Sequence, residues 1–383
     1  MIIKSMSKVR RFIFILTIYV VCCFAVYAAQ FHTVPIEHEV YRLLETAEIR
    51  GLIGHLSNVK PYNVDQVNRY LQELLSCDIS DIDRETVTRI QNELMRMYGR
   101  EGTEGQGFFK NGFYRTNSKN GAFTFQIGIK AVLNEKLGIT IPDKEKVLDL
   151  RNKGILYVSG DIGNHVSYDM NIGLMVDMLD SRAYFTNDFF LEAEGQYLIG
   201  LPKSEGNVSD LPEEKRHAYI GFYSRPEINA SFFDSKLTFS LGNYQRDWGH
   251  GKNNFQLSGS AQPFVALEMG VNPISWFKFN WLTGSLASFD DIRINGVPLI
   301  SDDYHEVKYH SNISMQRLEF SFKIFKFALH ETVVYRKRFE PMYLLPIGVY
   351  WFSQNAAGDL DDLVGGFDFS FLIKNVGEIY AGL

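Results

Sequence analysis

Leu318-Glu319-Phe320-Ser321-Phe322-Lys323-Ile324 puts Leu, Phe, Phe and Ile on one side and Glu, Ser and Lys on the other without a break. Successive side chains of an extended strand point to opposite faces, so this period of two predicts a β-strand with one apolar and one polar face. The pattern recurs through the chain. Phe123, Phe125, Ile127 and Ile129 oppose Thr124, Gln126 and Gly128. Residues 168–178 alternate with Asp169, Asn171 and Asp177 on the polar side, and residues 191–197 set Glu192, Glu194 and Gln196 against Leu191, Ala193 and Tyr197. Residues 236–244, 275–281 and 367–373 continue the series, which predicts about 12 to 14 strands between Phe108 and Leu383.

Alternation alone does not separate a soluble sandwich from a transmembrane barrel, because both give each strand one apolar and one polar face. Four features favour the barrel. Many strands run long enough for a tilted crossing of a hydrocarbon layer. Short connections (Asp234-Ser235, Phe325-Lys326) alternate with long polar ones (residues 180–188, 202–216 and 290–309). Tyr and Trp gather at strand ends, among them Tyr184, Tyr197, Tyr223, Tyr244, Trp248, Tyr335, Tyr343, Tyr350 and Trp351, as in an interfacial belt. The apolar faces carry almost no charge, while the polar faces carry carboxylates and lysines. The fold class expected is an all-β transmembrane antiparallel β-barrel with a small N-terminal α-helical bundle. The barrel is expected over residues 108–383 and is expected to be incomplete at its C-terminal end.

The N-terminal third reads differently. Lys4, Lys8, Arg10 and Arg11 precede an apolar run over residues 12–25, and Val26-Tyr27-Ala28 offers a small-residue cleavage site, so residues 1–28 are expected to be a signal peptide. Residues 34–98 show helical spacing. Val40, Leu43, Leu44, Ala47 and Leu52 mark a helix over 39–53. Asn63 with Gln66 opens a second in the manner of a capping box, and Val87, Ile90, Leu94 and Met97 stripe a third over 83–98. Three short helices are too small a unit to stand alone, so the bundle is expected to pack on something larger. Residues 99–107 form a glycine-rich linker. Without residues 1–28 the chain holds 35 Lys and Arg against 45 Asp and Glu, a net charge of about −10, which argues against a nucleic-acid partner. Cys77 is then the one cysteine left, so no intramolecular disulfide is expected.

Between two predicted strands lies Gly242-Asn-Tyr-Gln-Arg-Asp-Trp-Gly-His-Gly-Lys-Asn-Asn-Phe-Gln-Leu-Ser-Gly259. Sugar recognition needs amides and carboxylates for paired hydroxyls and an aromatic face for the C–H side. Asp247, an exposed Trp248, His250, Lys252, Asn253 and Asn254 supply those groups within eight residues. A solvated hairpin loop, with Trp248 in an aromatic belt, is the plainer alternative. Asp290 and Arg293, in the acidic loop that runs to His305, are the second candidate surface; that loop lacks calcium-ligand spacing and is otherwise a solvated connection. Glu192 and Glu194 share a strand face, which suits a hydrated lumen better than a glycosidase pair. No catalytic residue, cofactor or metal site is expected.

The order of several motifs resembles the capsule assembly protein Wzi family of outer-membrane barrels. The motifs are Val34-Pro-Ile-Glu-His-Glu-Val-Tyr-Arg-Leu-Leu-Glu-Thr-Ala-Glu-Ile-Arg-Gly-Leu-Ile53, Lys60-Pro-Tyr-Asn63, Trp248-Gly-His-Gly-Lys-Asn-Asn-Phe-Gln-Leu-Ser258, Trp276-Phe-Lys-Phe279, Gly284-Ser-Leu286 and Gly365-Gly-Phe-Asp368. The likeness runs from about residue 34 to the end. It implies a barrel in outer-membrane lipid with a periplasmic helical bundle. The outer face would hold surface or capsular polysaccharide without catalysis, and a partner in the periplasmic export machinery is implied as well. Family members continue past the point matching Tyr380-Ala-Gly-Leu383, which implies a longer barrel. A porin-like channel is the alternative, with Lys278, Lys323, Asp169, Asp177 and Glu192 lining a pore.

Overall fold

The computed structural model describes residues 31–98, 106–107, 114–117, 123–139, 146–180, 195–201, 216–251, 254, 256–259, 261, 263–286, 293–294, 297–298, 311–336, 340–346, 348–357 and 361–383. The expected signal peptide, most of the linker, and Glu192 and Glu194 lie outside these residues.

Three helices open the described chain: α1 (Val40–Ile49), α2 (Val64–Ser76) and α3 (Asp81–Tyr98). Each turns its apolar stripe inward, with Val40, Leu44, Val67, Leu71, Leu74, Val87, Ile90 and Leu94 forming one core. Asn63 caps α2 as its spacing predicts, its Oδ1 accepting from the Gln66 backbone N–H at 2.7 Å. The first helix is shorter than the periodicity suggests. Gly51, at φ +67°, takes the left-handed conformation just past Arg50 and turns the chain before Leu52.

The remainder is mostly antiparallel sheet. The strands are β1 (Val59–Lys60), β2 (Gln106–Gly107), β3 (Tyr114–Asn117), β4 (Phe123–Ile139), β5 (Lys146–Ile162), β6 (Val166–Asp180), β7 (Gly195–Leu201), β8 (Arg216–Phe232) and β9 (Leu237–Tyr244). After these come β10 (Asp247–Trp248), β11 (Phe264–Ile274), β12 (Phe277–Leu286), β13 (Arg293–Ile294), β14 (Val297–Pro298), β15 (Ser311–Phe322), β16 (Phe325–Arg336), β17 (Asp362–Ile373) and β18 (Gly377–Gly382). One sheet runs in the order β2-β3-β4-β5-β6-β8-β9-β11-β12-β15-β16-β17-β18, with β7 pairing β8. Among the described residues no pairing joins β2 to β18.

Along much of this sheet apolar side chains are exposed and polar ones buried. Ile129, Leu156, Ile172, Leu174, Ile228, Leu241 and Val265 are exposed, whereas Ser159, Asp161, Asn171, Glu227, Asn229, Arg317 and Glu319 are buried. Residues 318–322 follow the same rule, Glu319 inward and Phe322 outward, and Lys323 and Ile324, expected in the strand, form the turn to β16. No helix among the described residues is long and apolar enough to cross a membrane, which leaves crossing by strands untouched.

Two segments fold back on the sheet. The bundle packs against its short-turn end. Asp65 accepts from Ser235 in the β8–β9 turn, His55 Nε2 lies 2.6 Å from the Phe322 carbonyl, and the Asn375 N–H donates to the Ile49 carbonyl at 2.8 Å. On the apolar face a 3-10 turn (Pro341–Leu344) and α4 (Tyr350–Ala357) cover Trp281, Val333 and Tyr335. The expected aromatic belt is corrected accordingly. Tyr244, Trp248, Tyr335, Tyr343 and Tyr350 are buried in local clusters, while Trp351 is exposed.

Candidate functional site

β9 has 8 residues beside the 17 of β8, so the chain leaves the sheet part-way along and the described residues between 245 and 263 turn toward the polar face. There β10 meets β1 as an antiparallel pair, Val59 opposite Trp248 and Lys60 opposite Asp247. Trp248 also exchanges backbone hydrogen bonds with Leu257, at 2.8 and 3.2 Å. The loop therefore becomes the middle of a small three-stranded patch shared with the segment between α1 and α2.

Its residues differ from the expectation of an open sugar platform. Trp248 is 1% exposed, packed among Val59, Leu257, Phe264, Leu282 and Met315, so the expected exposed ring is corrected to a core residue. The inward turn seats the indole on Phe264, Leu282 and Met315 of the sheet, and pairing with β1 adds Val59 to its surroundings. Asp247 Oδ1 accepts from Asn254 Nδ2 at 2.8 Å and from the Gly259 N–H at 3.1 Å, and Lys60 Nζ stands 3.8 Å from its other oxygen. Burial raises the Asp247 pKa, and the Lys60 charge offsets part of that rise. Asn254 in turn accepts from the Leu257 N–H at 2.8 Å, bracing the turn from inside.

His250 is stacked on Tyr380 with ring centroids 5.5 Å apart, and its Nε2 lies 2.7 Å from Asn58 Nδ2. An amide nitrogen only donates, so that contact requires an unprotonated Nε2. Burial lowers the His250 pKa in the same sense, against the opposing pull of Glu378 and Asp368. Gly251, at φ +77°, lies against the Tyr380 hydroxyl where a Cβ has no room. The structure thus gathers Asp247, Trp248, His250 and Asn254 into one braced loop. Lys252, Asn253 and Asp290 lie outside the described residues. Arg293 has its backbone in β13, which among the described residues pairs with β14 in a separate two-stranded sheet, and its side chain is outside the description.

Sequence reasoning missed the anchors beneath this loop. Arg246 is buried with its Nε 2.6 Å from Glu268, its Nη atoms donating to the carbonyls of Gly242, Tyr244 and Phe264, and its guanidinium 4.1 Å from the Tyr244 ring centroid. Arg317 grips Asp368 with both Nη atoms, at 2.6 and 2.9 Å, and Glu319 with Nε at 2.8 Å. Glu319 passes the connection to the bundle, accepting from Ser57 Oγ at 2.6 Å and the Asn58 N–H at 3.1 Å. Beside it Lys326 bridges Glu48 of α1 at 2.6 Å and Glu378 of β18 at 3.4 Å. At the other margin His32 Nε2 stands 3.6 Å from Asp161, and the Phe31 N–H donates to Ser167 Oγ at 3.1 Å. Arg317, Glu319, Lys326 and Asp368 carry one sequence signal, their place on polar strand faces, and Arg246, Glu48 and His32 carry none.

Together these groups fasten the bundle and the loop across the polar face, and their ionisation sets a pH window for that attachment. Burial alone raises the Glu48 pKa, but His55 and Lys326 outweigh it and hold Glu48 below its ordinary 4.5. Its contribution is present above 4.5 and is lost as pH falls through the lowered value. His32 is opposite in sign. Burial lowers it, while Asp161, with Asp169 and Glu227 behind, raises it above 6.5 overall, so its contribution is full below 6.5 and fades as pH rises through the raised value. Limited proteolysis of the bundle in detergent-solubilised protein is therefore expected to be slowest at mildly acidic pH and to speed up on both sides. A rate that is flat with pH would remove these two groups from the attachment.

No known protein family's sequence profile matches this chain, and a search of curated proteins returns no match.

Proposed function

We propose that this chain is a transmembrane β-barrel of an outer membrane, occluded at its short-turn end, which holds surface polysaccharide at its long-loop end without catalysing a reaction. The inverted burial of the sheet carries the membrane part of this reading. Each exposed Leu or Ile would cost roughly 1.5–3 kcal/mol to leave in water, and hydrocarbon removes that cost. Closure of the sheet would satisfy the edges of β2 and β18, which no bilayer tolerates open. The bundle and the loop carrying Trp248 stand against the porin-like alternative, because they occupy the polar face through which solute would pass. The ordered motifs at residues 34–53, 60–63, 248–258, 276–286 and 365–368 support the polysaccharide part through their resemblance to the Wzi family. On that reading the bundle faces the periplasm, where export machinery is the fitting partner, and the ligand-holding residues are sought in the long loops.

Purified protein in planar bilayers is expected to pass almost no current, and proteoliposomes carrying it are expected to retain the capsular or surface polysaccharide of the producing cell. Steady porin-like conductance would replace this reading with the channel. Intact barrels that capture no polysaccharide would remove the anchoring role, and protein that stays folded without detergent would remove the barrel.

A further inference from the structure

The connection between β16 and β17 starts at the long-loop end and lies along the outer side of the sheet. Residues 341–357 contain no Asp, Glu, Lys, Arg or His. Charge returns on both flanks, at Lys337, Arg338 and Glu340 before the stretch and at Asp359 and Asp361 after it. The connections over 202–216 and 290–309 each hold several charges. A loop in water is normally polar, so the composition of this one has another cause.

The segment is built inside out. In α4 Tyr350, Ser353 and Gln354 fall on one face at helical spacing and are buried, while Trp351 and Phe352 are exposed. The 3-10 turn likewise buries Tyr343 and exposes Met342, and Leu345 and Val349 between the two elements are exposed as well. The buried polar groups turn to the protein. Gln354 Nε2 donates to the Asp361 carbonyl at 2.5 Å, and the Tyr343 hydroxyl donates to Asp361 Oδ2 at 2.8 Å.

The sheet beneath explains the cover. Alternate residues of β15 face outward, and the row that runs Phe322, Phe320, Leu318 continues with Gln316 and Ser314. Glu331 of β16 stands opposite Gln316, and Thr283 of β12 stands opposite Ser314. Uncovered, these four would set a carboxylate, an amide and two hydroxyls on the face that carries exposed Leu329, Phe367 and Phe371. The segment closes them off. Gln316 Nε2 donates to Glu331 at 2.6 Å and to the Gly348 carbonyl at 2.7 Å, and Glu331 accepts from the Tyr350 N–H at 2.9 Å. Thr283 and Ser314 share a hydrogen bond at 2.9 Å. Polar groups of the sheet and backbone groups of the segment thus satisfy one another, and an apolar surface takes their place on the outside.

We infer that residues 341–357 form a strap lying in the lipid bilayer, where Leu345, Val349, Trp351 and Phe352 meet acyl chains. The assignment rests on the membrane part of the reading above and adds a loop to the strands that it places in lipid. A second copy of the chain is the other occupant that an apolar surface suits. Protein interfaces carry a polar rim, however, and this stretch has no charge along its length.

Tryptophan reports the contact directly. Trp276, at the β11–β12 turn, and Trp351 are 47% and 55% exposed, whereas Trp248 and Trp281 are 1% and 5% exposed. Trp276 is stacked on outward-facing Phe322 with ring centroids 6.2 Å apart, so it marks the lipid face of the sheet itself. Trp276→Phe leaves Trp351 as the exposed indole, and Trp351→Phe leaves Trp276. Each full-chain variant would be reconstituted into phosphatidylcholine vesicles with and without bromine on the acyl chains, and titrated separately with aqueous acrylamide. Brominated lipid is expected to quench both variants to a similar degree, and acrylamide to quench Trp276→Phe protein little. Lipid quenching of Trp351→Phe protein alone, with acrylamide quenching of Trp276→Phe protein, would put the strap in water and overturn the assignment while the barrel stands. An indole at 351 that neither quencher reaches would be covered by a second copy, which overturns the assignment as well. Loss of lipid quenching from both variants would remove the barrel reading and the strap with it.

Discussion

Arg317→Met is expected to destabilise the protein by about 3–5 kcal/mol, the range for breaking a buried ion pair by removing one partner. Arg317 has no exposed surface, and it is the cation between two carboxylates that are themselves 5% and 8% exposed, Glu319 and Asp368. Methionine fills most of the volume but leaves both carboxylates to be protonated or wetted. Glu319 also holds Ser57 and Asn58, so the loss reaches the bundle. The measurement is urea unfolding of detergent-solubilised protein followed by circular dichroism. The triple variant Arg317→Met, Glu319→Gln, Asp368→Asn is expected to recover most of the stability, because no charge is then stranded. A single variant within about 1 kcal/mol of the parent would show the network to be dispensable.

Trp248→Ala is expected to cost a similar amount, about 3–5 kcal/mol, through the cavity left beneath β1. Its effect has a second reading that Arg317→Met lacks. Trp248 packs on Val59 and Leu257, so truncation loosens both the loop and the bundle segment that covers it. Protease cleavage within residues 249–261 is expected to appear in the variant and not in the parent, and bilayer conductance is expected to rise above baseline. Trp248→Phe keeps most of the apolar contact and is expected to sit near the parent in both assays. An alanine variant that stays as resistant and as silent as the parent would show that the indole does not hold the loop.

The sheet was legible because a period of two survives any tertiary arrangement. Residues 168–178 or 318–322 can be laid out as strands from their spelling, although the alternation at Lys323 and Ile324 runs on into a turn, and Asn63 with Gln66 announces a helix cap. The buried loop was not legible. Trp248 is surrounded by Gly, His, Asp and Arg, the company of an exposed side chain, and it is buried against β11, β12 and β15 with a two-residue strand far upstream at its side. Val59-Lys60 is too short to carry a period, and no local rule joins it to Asp247-Trp248. The anchors were hidden for a related reason. Glu319 and Lys326 look like solvated residues of a polar face until Ser57 and Glu48 are set against them. Tyr335, Tyr343 and Tyr350 misled in the other direction, since a tyrosine at a strand end suits a membrane belt and a local aromatic cluster equally well.

The fastening of the bundle also fixes an order in time. Residues 31–98 find their own core among near neighbours, Val40 and Leu44 with Leu71 and Ile90. Their outer groups wait for partners much further along. Ser57 meets Glu319 across 262 positions and His55 meets Phe322 across 267. The entropy of closing so long a loop rises only slowly with its length, so the equilibrium penalty is modest, but contacts between distant residues are slow to form. Glu48 stays without its lysine until β16 is in place, and Asn58 without its histidine until the 245–263 loop has folded in. The bundle's core is thus local while its attachment is long-range, so its docking requires that the strands behind it have been laid down.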